Sequence, residues 1–274
     1  MRGTSQASRP ITSRSRHNGG NGPPRMRPQR RSDPRSLTSD PRMLGILTLD
    51  TAFPRVRGDV GNPETFAFPV RHATVRGALV DDIVHRRQDA LLPAFVAAAN
   101  ELVDGGCIGI ATTCGFLVRW QRELAAELEV PVLTSSLLQV PLVQRCLPRH
   151  RRVGVVTYSA ADLSPEALEA AGADPYTPVA GVDPRGYFFR TIRHGAATID
   201  ERAMTQDVVA AARRLAAEHR DLGAVVLECA NMPPYRQAVE LALELPVFDA
   251  AQLIGWFHAG LAGSRPRYSR RKLW

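Results

Sequence analysis

Val225-Val226-Leu227-Glu228-Cys229-Ala230-Asn231-Met232-Pro233-Pro234 is the stretch on which the reading of this chain turns. A run of β-branched and aliphatic residues ends at a cysteine, and a proline pair then opens an Ala- and Leu-rich helical pattern. That order predicts a strand that delivers a thiol to the mouth of a helix. A second copy lies earlier, in Cys107-Ile108-Gly109-Ile110-Ala111-Thr112-Thr113-Cys114-Gly115-Phe116. At an offset of 115, Cys114 falls on Cys229, and Glu129-Val130-Pro131-Val132 falls on Glu244-Leu245-Pro246-Val247. At an offset of 109, Leu44-Gly45-Ile46-Leu47-Thr48 falls on Val153-Gly154-Val155-Val156-Thr157. Each half therefore runs glycine-containing strand, helix, strand ending in Cys, helix, Pro-Val strand, which is an internal repeat.

Outward from the two copies, strands alternate with helices of ten residues or more, the pattern of a parallel sheet covered by helices. The expected class is α/β, with two pseudo-symmetric lobes and an active site in the cleft between them. Predicted strands are 44–50, 108–112, 130–133, 153–158, 224–227 and 246–248. Predicted helices are 88–103, 117–129, 137–147, 165–171, 199–219, 234–243 and 250–261, and 54–77 reads as one long loop. Lobe 1 is expected over 43–148 and lobe 2 over 149–262, with the last helix able to pack back on lobe 1.

The formal net charge of +8 resembles a nucleic-acid signal until it is located. Residues 1–42 hold ten Arg and two Asp, which already makes +8, while residues 264–274 add four Arg and one Lys. The body between them is thus acidic, and nucleic acid is not an expected partner. Residues 1–42 are almost empty of aliphatics and predict a disordered Arg-rich extension, with 263–274 a basic tail. No apolar run approaches a membrane span and no secretory h-region follows the first arginines, so a cytoplasmic protein without membrane contact is expected. Four widely spaced cysteines form neither a disulfide framework nor a CxxC zinc pattern. No dinucleotide fingerprint is present, and the histidines fall into no triad or metal spacing.

An isolated cysteine at a strand end is ordinarily a small buried hydrophobe. The repeat raises Cys114 and Cys229 above that reading, while Cys107 and Cys146, which have no counterparts, read as packing. A helix N-terminus favours the thiolate, so both thiols are expected to be lowered in pKa. One ionised and one protonated thiol on opposite faces of a carbon can remove a proton and return it. Exposed backbone amides beside them can hold a substrate carboxylate. Neither a metal nor an organic cofactor is required.

Thr112-Thr113-Cys114-Gly115-Phe116, Glu228-Cys229-Ala230-Asn231-Met232-Pro233-Pro234-Tyr235 and Gly45-Ile46-Leu47 together resemble the aspartate/glutamate/hydantoin racemase superfamily over roughly 43–262. The resemblance implies two α/β lobes, one catalytic cysteine from each and cofactor-independent chemistry. It implies catalytic roles for Cys114 and Cys229. Substrate contacts are then expected from Asp50, Thr51, Thr113, Gly115, Phe116, Thr157, Ala230 and Asn231. Gly115-Phe116 stands where glutamate and aspartate racemases usually carry Asn-Thr, and Ala230 where they carry Thr. Cys229-Ala230 is closer to the hydantoin racemases. The loop Arg57 to Phe66 is similar to that of an uncharacterised branch.

The expected function is therefore a racemase or epimerase, an isomerase acting at a carbon next to a carboxylate or carbonyl of a small molecule. The alternatives are the same fold acting as a lyase or cis–trans isomerase, arylmalonate decarboxylase-like or maleate isomerase-like, and a non-catalytic ligand-binding protein. A homo-oligomer is compatible with either.

Overall fold

A computed structural model describes residues 42–263, so the expectations for the Arg-rich extension and the basic tail lie outside the described residues. The elements are β1 (Leu44–Leu49), β2 (Val70–Val75), α1 (Leu92–Asp104), β3 (Ile110–Thr112), α2 (Gln121–Glu127), β4 (Val132–Leu133) and α3 (Val140–Cys146). The second half follows as β5 (Arg152–Thr157), α4 (Pro165–Ala170), β6 (Val179–Gly181), α5 (Tyr187–His194), α6 (Glu201–Glu218), β7 (Leu222–Leu227), α7 (Arg236–Leu243), β8 (Val247–Phe248) and α8 (Ala250–Ala262). They build two four-stranded sheets of identical order, β2-β1-β3-β4 and β6-β5-β7-β8, in which every pairing is parallel. The α/β class and the repeat are both present.

The repeat extends to packing. A Cβ on Gly45 would lie 2.7 Å from Ile110 Cδ1 and 3.0 Å from Leu102 of α1, and one on Gly154 would lie 2.8 Å from Leu222 and 2.9 Å from Leu215 of α6. In each half the helix crosses the first strand at its glycine, because only there can the two backbones approach so closely.

Two edge strands and one helix depart from the sequence expectation. The predicted loop 54–77 contains β2, whose Val-Arg-His-Ala-Thr-Val is only half buried at the sheet edge, and β6 is its counterpart. Edge strands carry polar residues on their open side, which hides the apolar signal. Helix α5 was not expected because it is only eight residues long, with Arg190, Arg193 and His194 exposed opposite a short buried face. The stretch 117–129 forms a 3₁₀ segment, Gly115–Trp120, before α2 begins, and 137–147 divides in the same way at Ser136–Gln139.

Helix α8 closes the chain back on lobe 1. Leu253 and Ile254 pack with Leu44, Ile46, Ala111 and Leu133, and Asp249 with Gln252 forms a capping box at the helix start. Ile254→Ala is expected to cost about 2–5 kcal/mol by urea unfolding, since the cavity opens between α8 and a sheet that cannot collapse onto it.

Candidate active site

β3 and β7 end at one place, and the two cysteines follow them. Cys114, in extended backbone, precedes the 3₁₀ segment Gly115–Trp120, and Cys229 precedes Met232 and Pro233–Tyr235. Both thiols line one cleft of about 380 Å³, open solvent at its mouth included. Thr51, Thr113, Gly115, Phe116 and Asn231 line it with them, as do Arg55, Tyr158 and Glu228. Helix-to-strand polar contacts hold the lobes together there. Ser136 Oγ donates to the carbonyls of Leu227 (2.7 Å) and Glu228 (3.1 Å), and Gln139 Nε2 donates to Asp249 O. At the outer edge Arg193 pairs with Asp81 (2.9 Å), and His85 Nδ1 lies 2.8 Å from Asp162 Oδ2. Asp81 and His85 belong to a π-helical turn, a rare geometry that concentrates at functional sites.

A polar chain runs from the cleft mouth to the second thiol. Thr51 Oγ1 accepts from Arg55 (2.8 Å), Arg55 pairs with Asp59 (3.2 Å), and Asp59 Oδ2 accepts from Asn231 Nδ2 (2.7 Å). Asn231 Oδ1 in turn accepts from Cys229 Sγ at 3.5 Å, so this thiol carries its proton as a donor. Arg55 also stacks over the Phe53 ring at 4.3 Å.

Three expected contacts sit elsewhere. Asp50 is exposed and does not line the cleft, because its carboxylate turns away to accept from Gly77 N. Thr157 is fully buried and donates to Glu228 Oε2 at 2.7 Å, so it positions a carboxyl rather than facing the cavity. Ala230 lines a neighbouring pocket with Thr134, Ala250 and Ile254, and its carbonyl accepts from Val60 N. Cys107 is buried as expected of packing, whereas Cys146 is exposed at the end of α3. Arg57 and Arg71 are exposed.

The expected lowering of the thiols is reversed. Burial pushes Cys114 up to about 12, and the nearby Glu228 carboxylate adds to it. The backbone N–H groups of Phe116 and Leu117 and the Arg119 guanidinium act the other way, as a helix mouth should, and are outweighed. Cys229 is also raised, by burial first and then by Glu228 and Cys114, against the backbone N–H of Asn231. Glu228 itself is raised to about 7 by burial, against the hydrogen bonds from Thr157 and Tyr158 N. The cleft is a dry site that resists a second negative charge. Two backbone N–H groups and Arg119 favour the Cys114 thiolate, against the single backbone N–H of Asn231 at Cys229.

Asp59, Arg55 and Glu228 were missed as site residues. Glu228 alone had a signal in the sequence: a carboxylate directly after a strand buried on both faces has no solvent to face. Nothing in the spacing of the 51–61 loop says which of its charges turns inward.

No family model matches the chain. Among curated proteins, a dimethylsulfoniopropionate lyase of Durusdinium sp. clade D is 27% identical over 234 residues, 82% of this chain and 76% of the relative. Dimethylsulfoniopropionate lyase 7 of Emiliania huxleyi is 28% identical over 249 residues, 86% of this chain and 72% of the relative. Among solved structures, a mutant of arylmalonate decarboxylase in a sulfate-associated form superposes with a TM-score of 0.55 at 20% identity, covering 83% of this chain and 98% of that one. Allantoin racemase of Pseudomonas fluorescens gives 0.53 at 14%, covering 82% and 95%. The fold is shared with arylmalonate decarboxylase and with aspartate, glutamate and allantoin racemases.

These neighbours include racemases and a decarboxylase, so the fold leaves the reaction open. An enzyme is supported, and the curated relatives are lyases rather than isomerases. Among the described residues no cluster of three or more His, Cys, Asp or Glu is placed to hold a metal, and no helix is long and apolar enough to cross a membrane.

Proposed function

We propose that this protein is a cofactor-independent lyase that eliminates a group β to a carboxylate, with Cys114 as the base. The observation that carries the reading is one cleft holding two thiols of unequal character, in a chain similar to dimethylsulfoniopropionate lyases. In the scheme the Cys114 thiolate takes a proton from the carbon next to the carboxylate. The electron pair forms the new double bond, and the bond to the β substituent breaks with its pair. On a sulfonium substrate the leaving group is a neutral sulfide and needs no proton. A single base then suffices, and Cys229 serves as a hydrogen-bond donor held by Asn231.

The electrostatics favour a substrate with a fixed positive charge. Burial holds both thiols protonated, and ionisation of Glu228 would add to it. A cation bound beside them stabilises the thiolate and offsets what burial opposes. Aromatic side chains of Phe116 and Tyr158 line the cleft beside such a cation, and Arg55, which lies over the Phe53 ring, lines it as a partner for the carboxylate.

Racemisation is the second reading, favoured by the two thiols that line one cleft from opposite lobes. Incubation with dimethylsulfoniopropionate, followed by headspace detection of dimethyl sulfide and by NMR of acrylate, separates the two. Equimolar sulfide and acrylate are expected. Deuterium wash-in from D₂O to an amino acid or hydantoin, with no sulfide released, would replace elimination by racemisation.

A further inference from the structure

Glu228 is the ionisable group of the cleft that the thiol scheme leaves without a task. It is 1% exposed, and it reaches the cleft from the end of β7. Its Oε2 already accepts from Thr157 Oγ1 (2.7 Å) and Tyr158 N (3.4 Å). Its Oε1 is equally buried and has no hydrogen-bond partner among the described residues. That oxygen lies over Gly115 in the opposite lobe, only 2.0 Å from where a Cβ on residue 115 would be. Glycine at 115 thus leaves a side-chain-sized space beside Cys114, and the carboxyl of Glu228 fills it. An unsatisfied buried polar atom at the wall of a cleft is costly unless something that binds there completes it.

We propose that Glu228 acts as a neutral carboxylic acid whose Oε1–H donates a hydrogen bond to the substrate carboxylate as charge builds on it during proton abstraction. The inference rests on the proton-abstraction reading of the same cleft. Among the described residues no arginine or lysine pairs with Glu228, and burial is what holds its proton. The groups that face it are the two thiols, the Thr157 hydroxyl, the Tyr158 amide and, at its own carbonyl, the Ser136 hydroxyl. Asp59 and Arg119 act at one step removed, on Cys229 and Cys114 respectively. An ionised Glu228 raises both thiols, so its neutral form is also the one that lets Cys114 ionise. Throughout the reaction the proton stays on Glu228 and only the hydrogen bond strengthens, as oxyanion donors act.

Glu228→Gln and Glu228→Ala test this in the full chain. Gln is a neutral donor of the same shape, so kcat/KM on dimethylsulfoniopropionate is expected within about tenfold of wild type at pH 6. Its kcat/KM should keep rising with pH as Cys114 ionises, without the levelling that loss of the Glu228 proton gives wild type above about pH 7. Ala should lose roughly 100-fold or more in kcat at every pH. An inactive but folded Gln variant would mean that an ionised carboxylate is needed, and a Gln profile that tracks wild type would remove Glu228 from the site. A second readout needs no turnover. A protonated-carboxyl infrared band, absent in Glu228→Gln, should be present at pH 6 and shift when propionate is added. Its absence, or indifference to propionate, overturns the proposal. Wild type that releases no sulfide but shows the shifting band would sink the lyase reading and leave this one standing.

Discussion

Cys114→Ala is expected to lower kcat for sulfide release by roughly 10³-fold or more, while Cys229→Ala costs about 10- to 100-fold. The inequality is the informative part. Backbone N–H groups of Phe116 and Leu117, with Arg119, favour the Cys114 thiolate, whereas the Cys229 thiol donates a hydrogen bond to Asn231 Oδ1 and sits beside the buried Glu228 carboxyl. Elimination of a neutral sulfide needs one base and no acid, so the second thiol contributes through hydrogen bonding alone. A racemase needs both thiols as acid and base in turn, and both variants would then fall by similar factors. Steady-state rates, with far-UV circular dichroism to show that the variants fold, decide between equal and unequal losses.

Gly115→Ala is the smallest substitution with the next largest expected effect. The added methyl would lie 2.0 Å from Glu228 Oε1 and 2.7 Å from the Glu228 carbonyl oxygen. The side-chain oxygen can rotate away, but the carbonyl oxygen belongs to the backbone next to Cys229 and accepts from Ser136 Oγ, so the lobes must separate locally. Overpacking of this kind costs about 1–3 kcal/mol. It also displaces the Glu228 carboxyl and widens the approach of one thiol to the other, so kcat should drop roughly 100-fold, as it does when reacting groups are misplaced by about 1 Å. Urea unfolding and turnover measured on the same preparation check both. A variant of wild-type stability and rate would show that the two loops slide freely past each other, and the tight contact between lobes would then have no role in rate.

The halves of this chain were legible because apolar runs, glycines and cysteines recur at constant offsets, and each run is buried on both faces as a central parallel strand must be. β2 and β6 escaped because edge strands are half exposed and read as loop, and α5 because it is only eight residues long with a short buried face. The offset of 115 that matches the cysteines pairs Thr134 with Asp249, yet the helix caps that follow are Ser135 and Asp249. A one-residue slip between halves is invisible to a gapless alignment and harmless to the fold.

Sequence by itself determined the α/β class, the two pseudo-equivalent lobes and the convergence of Cys114 and Cys229, since these follow from local pattern and from the fact that parallel strands present the same ends on one side. Tertiary structure alone decided the electrostatics. Whether a thiol beside a helix mouth is lowered or raised depends on how much water its surroundings exclude and which charge lies opposite, and both are supplied by residues distant in the chain. The same holds for Glu228, Asp59 and Arg55: their chemistry is visible in the sequence, but the direction each side chain faces is set by the meeting of two lobes.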